Sequence, residues 1–163
     1  MEKKILTIGI ILTVVILFGG VVLVNQTTTT PQITASQNAK AVTPVTTDDW
    51  GKIPMSKGNV TKTFAIKNNG TDLLKLFNVK TSCHCTKAKV TVGTNESPLF
   101  GMDSLSSWTG EVIPGKEAKL SVIFDPAYHG PAGVGPINRY VSVETNDRVN
   151  SKLTFSVTGT VVK

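Results

Sequence analysis

Short segments in which apolar and polar residues alternate fill the chain from Asp48 to its C-terminal end. Turn-forming pairs such as Asn69-Gly70 and Pro114-Gly115 separate these segments. Alternation with a period of two predicts strands with one buried face, and no helical periodicity appears in this part of the chain. The sequence therefore predicts an all-β fold, an immunoglobulin-like antiparallel β-sandwich at residues 48–163.

Two stretches interrupt the alternation. Residues 93–107 predict an inserted loop in which Phe100 and Met102 are exposed, and residues 125–136 are rich in glycine and proline and too long for a simple hairpin turn. Trp50 and Trp108 have the character of core or edge packing residues. We expect strands at residues 60–67, 73–79, 87–92, 108–113, 118–124, 139–145 and 153–161.

The N-terminal end has an uncharged apolar run at residues 5–24. Its length matches the roughly 20 residues with which a helix crosses a hydrocarbon core of about 30 Å. Because Lys3 and Lys4 precede it, residues 1–25 predict a signal-anchor transmembrane helix with a cytoplasmic N-terminus. The protein is then a single-pass protein of the cell membrane with an extracytoplasmic C-terminal domain. A cleavable signal peptide is the alternative, although the apolar run exceeds the usual length of about 7–15 residues.

Residues 26–47 differ in composition from both neighbouring parts. They are rich in threonine, proline, serine and glutamine and contain few side chains that could form a core. Such a tract buries too little apolar surface to offset the entropy lost on ordering. We therefore expect a flexible stalk between the membrane segment and the domain.

Charge and motifs argue against several classes of protein. The formal net charge is +6, but the lysines are scattered and form no basic stripe with aromatic or arginine readers, so we expect no nucleic-acid partner. No nucleophile elbow, phosphate-binding glycine loop or zinc-protease motif is found, and we expect no enzymatic activity. Asp125 and Asp147 have the character of turn residues, because neither belongs to a carboxylate pair at catalytic spacing.

Both cysteines of the chain lie in the segment Ser82-Cys83-His84-Cys85. If this segment is an extended strand, Cys83 and Cys85 share one face with Cα atoms about 6.5–6.8 Å apart. This is the upper edge of the range of about 4.4–6.8 Å that a disulfide accepts. The two cysteines are then either a structural or redox disulfide or a pair of inert buried thiols, and both interpretations stay open.

A pair of thiolates on one face can also bind a soft metal ion. Thiolate and thioether ligands favour Cu(I), and added imidazoles also suit zinc or Cu(II). Met102 and His129 are the possible co-ligands from the two loops. On a regular strand His84 points away from the sulfurs, and it joins them only if the backbone turns there. The sequence thus predicts a copper-like site formed by Cys83, Cys85, His84, Met102 and His129.

Several motifs in order resemble a large family of uncharacterised bacterial and archaeal immunoglobulin-like domains, a domain of unknown function. That family is related to the ASH/hydin type of sandwich and usually carries a Ser-Cys-Gly-Cys-Thr signature. The resemblance covers about residues 48–163, with His84 in the place of the glycine and a longer insertion at residues 93–107. It rests on Asp49-Trp50-Gly51, Phe64-Ala65-Ile66-Lys67-Asn68-Asn69-Gly70, Val79-Lys80-Thr81-Ser82-Cys83-His84-Cys85-Thr86, Ile113-Pro114-Gly115-Lys116, Val122-Ile123-Phe124-Asp125-Pro126, Thr145-Asn146 and Val157-Thr158-Gly159-Thr160-Val161.

The resemblance implies an immunoglobulin-like fold in an extracytoplasmic, envelope-associated setting, and it implies no established activity or catalytic residue. Together with the cysteines it predicts a membrane-tethered module that binds a soft, copper-like metal ion. Two alternatives stay open. One is a non-catalytic interaction or scaffold module that binds a protein partner of the cell envelope, and the other is a thiol–disulfide redox site.

Overall fold

A computed structural model describes residues 33–163 of the chain. The predicted membrane anchor at residues 1–25 and the first part of the predicted stalk lie outside the described residues. Among residues 33–163, no helix has the length and apolar character that crossing a membrane would require. The all-β prediction is confirmed, since the only helical elements of this part are the short 3-10 turns Met55–Lys57 and Gly130–Gly133.

The described part forms ten strands, most of which coincide with an alternating segment of the sequence. The last two strands are the longest, and along both of them buried residues alternate with more exposed ones. The strands are β1 Ala41–Val42, β2 Thr47–Pro54, β3 Val60–Asn68, β4 Leu74–Thr81, β5 Thr86–Val92, β6 Asn95–Glu96, β7 Gly110–Val112, β8 Glu117–Phe124, β9 Gly135–Thr145 and β10 Lys152–Val162.

The strands form two sheets that pack face to face. One sheet has the order β1-β3-β8-β5-β6 and the other the order β2-β10-β9-β4-β7. Every paired strand of the described part is antiparallel to its neighbour except β2, which runs parallel to β10. The antiparallel sandwich predicted from the sequence is therefore correct apart from this one edge pair.

The core lies between the sheets and divides into two clusters. The larger cluster joins the sheets through the rings of Phe64 on β3 and Phe155 on β10, whose centroids are 5.1 Å apart. The smaller cluster lies at one end of the sandwich and consists of Ile53, Cys85, Phe124, Ile137 and Val161. Burial of these apolar faces supplies the main driving force for folding.

The inserted loop folds back along β5 instead of projecting into solvent. The backbone of Phe100 exchanges hydrogen bonds of 2.9 and 2.8 Å with Ala88. The Phe100 ring is only 2 % exposed and lies 5.6 Å from the ring of Trp108. The prediction that Phe100 is exposed is wrong, because this bridge turns its side chain into the larger cluster. Met102 is exposed, as predicted.

The C-terminal part of the predicted stalk is ordered and packed on the sandwich. Ala39 and Ala41 are 2 % and 4 % exposed, and β1 pairs with the end of β3. A flexible stalk throughout residues 26–47 is therefore wrong from Ser36 onward. The physical reason is backbone hydrogen bonding, since the carbonyl of Asn38 accepts bonds from two amides of the turn after β3 and compensates for the scarcity of large apolar side chains.

Gly70 allows this close approach of the N-terminal segment. A Cβ atom at Gly70 would overlap the carbonyl oxygen of Asn38 and lie 2.6 Å from the amide nitrogen of Lys40. We expect Gly70→Ala to lower the free energy of unfolding by about 1–3 kcal/mol, because neither backbone atom can move without losing its hydrogen bond. Urea denaturation measures this, with Asn69→Ala as an exposed neighbouring control. Equal stability of the two variants would contradict the packing.

A buried carboxylate, Asp147, fastens the same segment to the turn between β9 and β10. Its Oδ2 accepts hydrogen bonds from the Ala41 amide at 2.9 Å and from the Asn150 side chain at 3.1 Å, and its Oδ1 accepts one from the Val149 amide at 2.8 Å. Burial alone would raise the pKa of Asp147, but the hydrogen bonds from Ala41, Val149 and Asn150 outweigh burial and lower the pKa below 3.8.

This lowered pKa predicts a pH-dependent contribution to stability. A group with a depressed folded pKa stabilises the protein above its unfolded pKa, and the contribution is lost as the pH falls through the folded pKa. We expect Asp147→Asn to cost about 1–3 kcal/mol at neutral pH, because the new amide donor faces other donors. The difference from the native chain should begin to shrink below about pH 4, where Asp147 of the unfolded chain becomes protonated, and should be lost as the pH falls through the lower pKa of the folded state. Urea denaturation across this range measures it, with the exposed Glu117→Gln as control, and a pH-independent difference would contradict the role of the charge.

Candidate cysteine site

The two cysteines lie in the turn that carries the chain from one sheet to the other. β4 ends at Thr81 in the second sheet and β5 begins at Thr86 in the first. The Thr81 hydroxyl donates to the carbonyls of Cys83 and Thr86, each at 3.0 Å, and the Thr86 amide donates to the carbonyl of Cys83 at 3.1 Å. Of the two geometries considered from the sequence, the segment therefore has the turn and not the extended strand, because the change of sheet requires a turn.

The turn brings the two cysteines closer than a strand would. The Cα atoms of Cys83 and Cys85 are 5.2 Å apart, in the middle of the range that disulfides occupy, and the structure joins the sulfurs as a disulfide. The Cys85 amide also donates to the sulfur of Cys83 at 3.3 Å. Of the alternatives left open by the sequence, the structure thus contains the disulfide.

The two sulfurs have different surroundings. Cys85 is only 2 % exposed and belongs to the smaller apolar cluster, whereas Cys83 is partly exposed at its edge. The Nε of Arg139 on β9 donates to the Cys85 sulfur at 3.2 Å. The Nε2 of His129 lies 3.7 Å from the Cys83 sulfur. Each sulfur therefore has its own nitrogen neighbour.

The long loop between β8 and β9 positions His129. The Asp125 amide donates to the Cys85 carbonyl at 2.9 Å, which fastens the start of this loop to the cysteine turn. The rings of Tyr128 and His129 contact edge to face with centroids 5.0 Å apart. The ligand atoms of Cys83, Cys85 and His129 all lie within 4.8 Å of one another. The structure thus groups three of the residues that the sequence proposed as metal ligands.

The imidazole of His84 is placed differently. The Nε2 of His84 lies 3.4 Å from the carboxylate of Asp103, and its ring is about half exposed. The backbone turns at His84, which is the condition under which its side chain could reach the sulfurs. The imidazole nevertheless points to the inserted loop. Met102 belongs to the same loop and lies outside both apolar clusters of residues 33–163.

Sequence reasoning missed Arg139. Its guanidinium carbon lies 5.8 Å from the ring centroid of Phe124, and its Nη1 donates to the Asn138 carbonyl at 3.0 Å. The Phe124 ring is in turn stacked on Trp50 with centroids 5.9 Å apart. Arg139 is 54 residues from Cys85 in the sequence. It stands on the buried side of β9, in line with Ile137 and Val141, and this charged residue among apolar ones is a local signal, although nothing local links it to Cys85.

Fold and site together define this protein as an immunoglobulin-like β-sandwich with a Cys-x-Cys turn at one end. The family model described as "Protein of unknown function (DUF1573)" matches residues 41–97, about a third of the chain, which include β1 to β6 and both cysteines. No curated protein is significantly similar to the chain in sequence. The Ser-Cys-Gly-Cys-Thr signature, with glycine in place of His84, stays a prediction.

Two solved structures are similar to the chain. A protein of unknown function from Porphyromonas gingivalis W83 is 22 % identical with a TM-score of 0.59, over 80 % of this chain and 50 % of that one. The chain therefore spans about half the length of that protein. The ASH/PapD-like domain 7 of human CEP192 is 18 % identical with a TM-score of 0.48, over 81 % of this chain and 92 % of that one. The P. gingivalis protein supports the sandwich fold and carries no information on activity.

Proposed function

We propose that the Cys83–Cys85 pair is a reversible thiol–disulfide redox site. The observation that carries this proposal is the placement of two bonded sulfurs in a surface turn, one partly exposed and each beside a basic nitrogen. A purely structural disulfide would add little to the stability of the fold here, because it closes a loop with a sequence separation of only 2. The stabilisation that a disulfide gives by restricting the unfolded chain grows with the size of its loop.

The proposed setting is the outer side of a cell membrane, with the sandwich tethered by residues 5–24. This placement rests on the sequence, through the apolar run and the two lysines before it. Disulfides form and persist in extracytoplasmic compartments, where no glutathione or thioredoxin pool keeps thiols reduced as in the cytosol. A reversible cysteine pair in that setting would exchange electrons with other envelope proteins.

The test is a redox titration of the full chain in mild detergent. After equilibration in buffers with different ratios of reduced and oxidised glutathione, free thiols are alkylated under acid quench and counted by mass spectrometry. We expect a single two-electron transition between zero and two alkylated cysteines. Reduction should leave the far-ultraviolet circular dichroism of the sandwich unchanged, because the cysteines close so short a loop.

Cys83→Ser/Cys85→Ser is the control for this titration, since it should show no alkylation at any ratio and a native circular dichroism spectrum. Two outcomes would overturn the redox proposal. One is a pair that stays oxidised under strong reduction without unfolding, and the other is a pair of thiols that does not re-form the bond in excess oxidised glutathione.

A second candidate function is soft-metal binding by the reduced form of the same pair. The specific observation in its favour is that the ligand atoms of Cys83, Cys85 and His129 lie within 4.8 Å of one another. Two thiolates and one imidazole suit Cu(I), whereas structural zinc sites use four closed ligands. Of the five ligands proposed from the sequence, this candidate function rests on these three donors, since the imidazole of His84 faces Asp103 instead. If the redox titration and a titration with Cu(I) both give negative results, the scaffold module is the remaining function.

A further inference from the structure

We propose that the site is directional, with Cys83 as the sulfur that a partner thiol attacks, Cys85 as the leaving sulfur, and a protein dithiol as the substrate that becomes oxidised. This inference rests on the proposed redox function and assigns it a direction and a substrate class. Three features of the described residues carry it: the unequal access to the two sulfurs, the position of Arg139, and the position of His129.

Access decides which sulfur is attacked. Thiol–disulfide exchange requires a thiolate to approach one sulfur of the bond, so its rate depends on which sulfur solvent can reach. Cys85 is packed among Ile53, Phe124 and Ile137 and is almost completely buried. Cys83 lies at the edge of this cluster and is partly exposed. An external thiolate therefore reaches Cys83 first.

Charge decides which sulfur leaves. When the bond breaks, an electron pair stays on Cys85 in an apolar surrounding, where an isolated anion would be costly. The Arg139 Nε that donates to this sulfur at 3.2 Å supplies the compensating positive charge. None of the ion pairs among residues 33–163 includes Arg139, so no carboxylate competes with the sulfur for its guanidinium. Packing on Phe124 and the bond to the Asn138 carbonyl hold this side chain in place.

The exchange balances in two steps. The first partner thiolate forms a bond to the Cys83 sulfur, and the Cys83–Cys85 bond breaks with its electron pair left on Cys85. The second thiolate of the same partner then attacks the partner sulfur that is joined to Cys83 in the mixed disulfide. This bond breaks and releases Cys83 as a thiolate beside His129. The partner dithiol has then lost two electrons and become a disulfide, while Cys83 and Cys85 have gained them.

The same neighbours set the direction of electron flow. A dithiol–disulfide pair is a stronger oxidant when its reduced form is stabilised. Arg139 and His129 both favour negative charge on sulfur, and such charge exists in the reduced form alone. The pair is therefore a disulfide donor to protein dithiols.

The first test locates the mixed disulfide. The oxidised full chain in mild detergent is mixed with limiting reduced glutathione, quenched with acid and alkylated, and peptide mass spectrometry identifies the cysteine that carries glutathione. We expect glutathione on Cys83 and the alkyl group on Cys85, in at least about tenfold excess over the reverse adduct. A peptide with two cysteines should be converted to its disulfide by the native chain and not by Cys85→Ser.

The second test measures the role of Arg139 by the equilibrium with glutathione. Arg139→Met should shift the dithiol–disulfide equilibrium about tenfold toward the disulfide, which is about 30 mV for a two-electron couple. Arg148→Met is the matched control, because Arg148 is exposed in the turn that follows the far end of β9, and its loss should leave the equilibrium unchanged. Arg139→Lys keeps the charge and should recover part of the shift.

The outcomes separate the two proposals. A pair that does not reduce reversibly overturns the redox function itself. A pair that reduces reversibly but carries glutathione on Cys85, or in which the variants at Arg139 and Arg148 behave alike, overturns the direction and leaves the redox function standing. The adduct test uses the native chain, so it decides the point even if Arg139→Met does not fold.

Discussion

Cu(I) added to the reduced chain should bind at about one ion per chain, and Cys83→Ser/Cys85→Ser should bind none. The reason is that the two thiolates supply both soft anionic donors of the group, and no other cysteine exists in the chain to replace them. Competition with a colourimetric Cu(I) chelator under anaerobic, reducing conditions measures the stoichiometry and affinity. The oxidised chain should not bind, because a disulfide offers no thiolate.

The two histidines provide a matched pair for this measurement. His129→Ala removes the third donor and should weaken Cu(I) binding, whereas His84→Ala removes an imidazole that faces Asp103 and should leave the affinity unchanged. Equal effects of the two substitutions would contradict the three-donor site. Cu(I) binding that survives loss of both cysteines would refute metal binding at this turn altogether.

Leu120→Ala should lower the free energy of unfolding by about 2–5 kcal/mol, the largest effect on stability that we predict. Leu120 lies on β8 in the middle of the first sheet and is 0 % exposed, so truncation leaves a cavity that its neighbours cannot fill. Since single domains are stable by only about 5–15 kcal/mol, this is a large fraction of the total. Urea denaturation monitored by tryptophan fluorescence measures it.

Leu105→Ala is the matched control for this experiment, because it is the same substitution at a side chain that is 92 % exposed in the inserted loop. Its effect should stay within about 0.5 kcal/mol. Similar losses for both leucines would mean that the larger cluster is not the core of the sandwich.

The strands were predictable where one face is buried and the other is solvated. β3, β8 and β10 alternate regularly, and the predicted segments coincide with them closely. The predicted segment 139–145 lacks the first four residues of β9, of which Gly135 and Pro136 were assigned to the loop. β2 was missed because its residues Thr47–Pro54 contain two aspartates, a glycine and a proline and do not alternate. Its pairing with β10 is parallel and joins the two ends of the domain, so it depends on contacts that no local pattern records.

In the candidate site, too, the local spacing of residues could be predicted, whereas contacts between distant parts of the chain could not. The Cys-x-Cys spacing is visible in the sequence, which also predicts His129 as a co-ligand from a loop. Arg139 was not predictable, because its contact with Cys85 depends on the register of β9 and on the change of sheet after β4. The direction in which His84 points was likewise decided by the inserted loop, through Asp103.

The attachment of Ser36 and Ala41 to the Asn146-Asp147 turn has a mechanical consequence. That turn follows the C-terminal end of β9, and Arg139 lies six residues earlier on the strand, a distance of about 20 Å at the usual rise per residue. Tension applied to the chain ahead of Ile33 would load the hydrogen bonds of Ser36 with Asn146 and Arg148 first, and the bond between Ala41 and Asp147 after them. Detachment of the segment that contains Ser36 and Ala41 would relieve the force at this end of the sandwich. The sulfurs at the opposite end would keep their geometry.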